Sequence, residues 1–171
     1  AVVAITRDRI TGGALQKIQQ PAADRVILQI HAPGRGTSRL LIQLRRQEAR
    51  LHPTEHRFEN PASAPAFCLA LRKFLKNGRV MDLEVIPGDR VAIMTLSVMS
   101  DDGPTTRRLA IELLSNQPRL FVLDDQDVVL AASDAARGGR GKVGRGDKWT
   151  PPPPRTDQTG ETKALFARFD G

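Results

Sequence analysis

Between Val80 and Ala132 five β-rich runs follow one another with almost nothing between them, and this spacing limits the fold more than any other feature. The runs are Val80–Ile86, Arg90–Met99, Thr106–Leu114, Arg119–Leu123 and Val128–Ala132, linked by PGD, DDGP, SNQP and DDQD. Each link is short and rich in turn formers. Parallel neighbours need a crossover of a dozen or more residues, so links of this length force antiparallel pairing. Upstream, Arg25–His31 (RVILQIH) and Ser38–Arg45 (SRLLIQLR) flank APGRGT, a hairpin loop, and Ala49–His52 adds a short further piece.

Helical signals are few. AVVAITRDRI at the amino terminus reads as a short helix stopped by Gly12-Gly13. The clearest helix is Ser63–Asn77, SAPAFCLALRKFLKN. Ser63 is placed to cap it and Pro65 to sit in its first turn. Phe67, Leu71, Phe74 and Leu75 fall on one apolar stripe, and Gly78 ends it. ETKALFARF suggests a last short helix. The expected class is therefore α+β: a mostly antiparallel β-sandwich or partly closed barrel with few helices.

Charge is unevenly placed. Residues 1–60 hold ten Lys/Arg against five Asp/Glu, residues 61–136 eight against ten, and residues 137–155 six against one. Two basic regions around a near-neutral middle suit a polyanion such as nucleic acid, an anionic membrane or an acidic protein, or serve solubility alone. No apolar run is long enough to cross a bilayer, and no membrane partner is expected. AVVAI lacks the basic-then-apolar order of a signal peptide, and without Met the chain reads as a piece of a longer protein. A single cysteine, Cys68, suits a reducing cytoplasm.

Chemistry has little support. His31, His52, His56 and Cys68 lack metal-ligand spacing, and the acid pairs Asp101-Asp102 and Asp124-Asp125 fall in turns. No metal, cofactor or catalytic residue is expected, and the chain is not expected to be an enzyme. GRGKVG at 139–144 matches a dinucleotide fingerprint in letters only. That pattern must open a helix, and WTPPPP follows within a few residues. Arg137, Arg140, Lys142 and Arg145 form instead an RGG-like stretch, either a solvated loop or a flexible arm for RNA backbone. With no tyrosine, base stacking is not its main grip.

Several stretches together resemble the NFACT amino-terminal domain family, which includes the bacterial RqcH and fibronectin-binding-protein-A-like proteins and the eukaryotic NEMF. ARLHPTEHRFENPASAPAFCLALRKFLKNGRV is similar to its signature N-P-x-x-x-P-x-F-C-x-x-L-R-K-x-L. GGALQKIQQP, IPGDRVAIMTL, LAIELLSNQPRLFVLDDQDVVL and WTPPPP match further segments in order. The resemblance implies a fold like the N-terminal domain of formamidopyrimidine-DNA glycosylases. It also implies an RNA-binding part of a cytoplasmic ribosome quality-control factor, with tRNA and the obstructed large ribosomal subunit (rRNA) as partners, supporting C-terminal tailing of stalled peptides.

By the same resemblance Asp89 and Arg90 match the family's Asp-Arg dipeptide for tRNA binding. The turn before them is expected to hold both near the surface. Arg50 and His52 lie in its R-x-H stretch, and Arg72 and Lys73 in its L-R-K motif; these are candidate RNA-backbone contacts or structural residues. SNQPR at 115–119 departs from the family's G-R-x-S-N segment. The expected division is an NFACT-N-like domain at 1–136, a basic Gly/Arg loop and proline-rich exit at 137–160, and a short helix or tail at 161–171. Two alternatives are a DNA-glycosylase-like repair domain and a fibronectin-binding surface adhesin. Against the first, the chain begins AVVAI rather than with the amino-terminal proline and acid of those enzymes.

Overall fold

The computed structural model describes residues 2–86, 90–114, 117–133 and 143–152. Two helices occur among them, α1 (Val2–Ile10) and α2 (Ala66–Leu75). The strands are β1 (Ala14–Ala22), β2 (Arg25–Ala32), β3 (Gly36–Gln43), β4 (Arg50–Pro53), β5 (Arg79–Val85), β6 (Val91–Ser100), β7 (Gly103–Glu112), β8 (Arg119–Leu123) and β9 (Val129–Ala132). All pair antiparallel in a single open sheet, ordered β4-β3-β2-β1-β5-β6-β7-β8-β9. The α+β class and the antiparallel pairing thus agree with the sequence. The strands form one continuous open sheet, where a β-sandwich or partly closed barrel was expected.

Its two meanders, β1–β4 and β5–β9, meet along a short seam. Ala14 faces Arg79, and the bonds Gly12 N to Val80 O, Val80 N to Gly13 O, Leu15 N to Gly78 O and Asn77 N to Leu15 O complete it. Glycine is required there by contact. A Cβ on Gly13 would sit 2.8 Å from the Ile30 side chain, and one on Gly78 would sit 2.9 Å from the Leu75 carbonyl. β1 itself is a central strand that turn and propensity signals do not mark.

Side-chain alternation divides the interior. Leu15, Val26, Leu28, Leu40 and Ile42 of the first meander join Ala92, Met94, Leu109, Ile111, Leu120 and Val122 of the second in one core. Phe67, Cys68, Leu71 and Leu75 of α2 pack into it, with Phe74 partly buried beside them, so the predicted stripe is the buried one. The capping expectation is corrected. Pro65 is the N-cap residue, not a first-turn residue, and no side chain caps the helix. Asn77, at φ 67°, makes the left-handed turn after α2 where Gly78 was expected to.

On the opposite face of the second meander, Val91, Ile93, Ala110, Phe121, Leu123 and Val129 form a second core closed by Trp149. Strands buried on both faces read as continuous apolar runs, as RLFVL does in β8. Residues 143–149 return to β9 to provide this cover: Gly146 N bonds Val129 O, Val129 N bonds Asp147 O, and Trp149 N bonds Asp127 O. Residues 143–149 are therefore part of the packed structure. The helix expected in 161–171 lies outside the described residues.

Candidate nucleic-acid interface

Strand register decides which polar residues share a surface. Arg25 faces Gln43 across β2 and β3, and Gln43 faces Arg50 across β3 and β4. Two residues along, Ile27, Leu41 and His52 align; two further, Gln29 faces Arg39. Because side chains alternate, these rows occupy one face of the first meander, opposite the face that fills the main core.

The segment after β4 crosses this face. Thr54 N donates to the Arg39 carbonyl at 2.9 Å, and Arg39 Nη1 donates to the His56 carbonyl at 2.7 Å. The Arg25 guanidinium lies 4.8 Å from the centre of the Phe58 ring, and its Nε donates to Gln43 Oε1 at 3.2 Å. His56 meets Phe58 edge-on at 4.5 Å. Ile27 and Leu41 are buried on this side, outside both cores. Arg25 and Arg39, which the sequence reading passed over, therefore tether the segment as well as charging the face. Their sequence signal is period-2 placement in two strands, and local pattern does not specify the register between those strands.

Arg50 and His52 are brought together here, both half-buried. A ring nitrogen of His52, Nδ1, lies 2.8 Å from the Pro53 carbonyl. Desolvation, the largest influence, pushes the imidazole below its usual titration range, and the bond to Pro53 works against this.

The other expected contacts do not join them. Arg72 and Lys73 lie on α2, which packs into the main core on the opposite side of the sheet. Arg72 donates Nε to the Ile18 carbonyl at 3.0 Å, and exposed Lys73 sits over the ring of Phe74 at 5.3 Å. Arg145 is exposed in the turn before Trp149. Asp89, Arg137, Arg140 and Lys142 lie outside the described residues.

Arg90 departs from expectation. It is 4% exposed, just ahead of β6, and its carbonyl accepts the Leu113 N–H at 2.7 Å. The expectation that the turn would hold this side chain near the surface is corrected: the residue is buried where it leads into β6, its backbone bonded to Leu113. Among the described residues no group of three or more His, Cys, Asp or Glu side chains could hold a metal ion. No helix there is long and apolar enough to cross a membrane.

Residues 1–170 match the family described as NFACT N-terminal and middle domains. The chain is 31% identical over 124 residues to the Rqc2 homolog RqcH of Bacillus subtilis (strain 168), covering 72% of this chain and 22% of that protein. It is 29% identical over 128 residues to the archaeal Rqc2 homolog aRqcH of Methanocaldococcus jannaschii, covering 75% of this chain and 18% of that protein. The chain thus spans about a fifth of the curated relatives it matches. Among solved structures, the N-terminal domain of fibronectin-binding protein PavA from Streptococcus pneumoniae gives a TM-score of 0.83 at 26% identity, covering 91% of this chain and 62% of that one. The N-terminal part of the fibronectin/fibrinogen-binding protein from Streptococcus suis gives 0.81 at 22% identity, covering 90% and 59%, which bears on fold alone.

Proposed function

Since the chain belongs to the family of NFACT N-terminal and middle domains, we propose that it is the RNA-binding part of a cytoplasmic ribosome quality-control factor. It engages tRNA and the rRNA of an obstructed large subunit, and catalyses no reaction of its own. The observation that carries this reading is the shared strand face, where register gathers Arg25, Arg39, Arg50 and His52. The three arginines of this face offer fixed positive charge to a folded RNA backbone, the surface a protein can read without unstacking bases. The names of the relatives, Rqc2 homologs, give the reading its biological setting.

Asp89 and Arg90 take different parts in it. Asp89 meets RNA, while Arg90, inside the fold, positions the start of β6 that follows it. The exposed Arg145 adds a second, peripheral phosphate contact, and Arg137, Arg140 and Lys142 belong with it.

The test is tRNA binding by this chain across a salt series. Each lost phosphate contact flattens the dependence of log K on log salt by about 1. Arg50→Gln is expected to weaken binding and flatten the slope by about that much. Binding that ignores salt, or a slope unchanged in Arg50→Gln, removes the strand face from the interface.

A further inference from the structure

The motif residues Asn60, Pro61, Pro65, Cys68 and Arg72 line a groove around the start of α2 for which the strand face gives no role. One lobe, about 200 Å³, is bounded by Asn60, Cys68 and Arg72; the other, about 320 Å³, by Pro21, Ala23, Ala66 and Phe67. Gln20, Pro61 and Pro65 border both lobes, so the two lie side by side.

Two observations made independently give the groove its chemistry. The first is the helix start. No side chain caps α2, and the first backbone bond along it runs from Leu69 N to Pro65 O at 3.1 Å. The amides of Ala66, Phe67 and Cys68 therefore present donors at the positive end of the helix. Arg72 adds positive charge; its bond to Ile18 engages Nε and not the terminal Nη amines.

The second is Gln20. It is 6% exposed and lines both lobes. Its Nε2 donates to the Ala23 carbonyl at 3.3 Å, but its Oε1 is buried with no hydrogen-bond partner. Buried acceptors in native proteins are nearly always paired, so this oxygen calls for a donor from outside the chain.

We propose that the groove holds a nucleotide, with its phosphate at the start of α2 beside Arg72. Its base lies along the proline wall and gives an N–H to Gln20 Oε1. An inorganic anion answers the first demand and leaves the second unmet. A nucleotide answers both, with a flat apolar body between. The inference rests on the RNA-binding reading above and deepens it: the strand face grips backbone, and the groove takes a single unstacked residue or a free nucleotide.

Amide chemical shifts of this chain test it, titrated with a ribonucleoside 5′-monophosphate, inorganic phosphate, a short RNA oligonucleotide and a peptide with a free carboxylate. The monophosphate is expected to move the amides of Ala66–Cys68 and to bind at least about tenfold more tightly than phosphate alone. Tighter binding of the oligonucleotide assigns the site to RNA, and equal binding assigns it to free nucleotides. Asn60→Asp places a carboxylate on the exposed rim and is expected to weaken binding about tenfold, with the fold intact. Gln20→Met removes the unpartnered oxygen at similar volume. It is expected to keep or raise the melting temperature while binding falls about tenfold.

A melting temperature lowered in Gln20→Met, with affinity unchanged in Asn60→Asp, makes Gln20 structural and overturns the groove. Peptide bound in place of nucleotide overturns it too. Normal tRNA binding with a silent groove defeats this inference alone, whereas tRNA that fails to bind at all defeats the RNA reading with it.

Discussion

Trp149 donates its indole N–H to Glu112 Oε2 at 2.8 Å, while Arg119 Nε holds Oε1 of the same carboxylate at 2.7 Å. Glu112 is fully buried, Trp149 is 4% exposed, and Arg119 also stacks its guanidinium 5.2 Å from the Phe121 ring. Both carboxylate oxygens are thus satisfied within the second core, which is what makes a buried charge tolerable. The bond joins residues 37 positions apart and ties the exit segment to β7.

Breaking this triad produces a graded loss of stability. Trp149→Phe keeps a ring but strands Oε2, at a cost of about 1–3 kcal/mol. Trp149→Ala adds a cavity and costs about 3–5 kcal/mol. Glu112→Ala leaves Arg119 without its carboxylate and costs about 3–5 kcal/mol. Urea denaturation of the three variants checks the order. Equal midpoints for the wild type and Trp149→Ala mean that the exit segment is not anchored.

At the end of α2 two adjacent residues respond oppositely to substitution. Asn77, at φ 67°, already occupies the region glycine favours, so Asn77→Gly relieves strain while loosening the unfolded chain. Its net effect stays within about 0.5 kcal/mol. Gly78→Ala drives a Cβ to 2.9 Å from the Leu75 carbonyl and 3.0 Å from Val98 Cγ2. Its cost is about 1–3 kcal/mol, and thermal melts of the two variants should separate.

This contrast shows what was legible in the sequence. That α2 stops near Asn77-Gly78 follows from residue types; which residue makes the turn depends on the β1–β5 seam packed against it. β8 begins and ends where its apolar run does, because both of its faces are buried. β1 was hidden because register shifts after Leu15 and Gln19 break the period of two, and three glutamines and Pro21 dilute its strand character. Arg25, Arg39 and Arg50 form one face only once three strands are in register. Trp149 reads in sequence only as part of a proline-rich exit because its partner lies in β7, and local pattern carries no information about a contact that distant.

His52 makes stability depend on pH in a predictable sense. Its folded-state pKa lies below the ordinary 6.5, chiefly because burial disfavours the imidazolium. The folded protein then binds fewer protons than the unfolded chain once pH drops toward 6.5. Its favourable contribution is complete above the unfolded value. It is lost as pH falls through 6.5 to the depressed folded value, and changes no further below that. Urea midpoints of the wild type should decline across this window more than those of His52→Gln; parallel curves would show that the ring titrates normally.

Arg90 separates structural from RNA-contacting roles. An arginine only 4% exposed cannot meet a phosphate unless the start of β6 opens, and opening would disturb the Leu113 N–H to Arg90 carbonyl bond. Arg90→Ala truncates a buried side chain and is expected to destabilise the fold by about 2–4 kcal/mol. Under conditions where that variant is still folded, its tRNA binding should keep the wild-type salt slope, because no phosphate contact has been removed. The opposite pattern would place Arg90 on the RNA: an unchanged melting temperature with a slope flatter by about 1. Arg90→Lys sharpens the test, since it keeps the charge but not the planar fork. A packed structural arginine should lose stability on that change, while a simple phosphate contact should hardly register it.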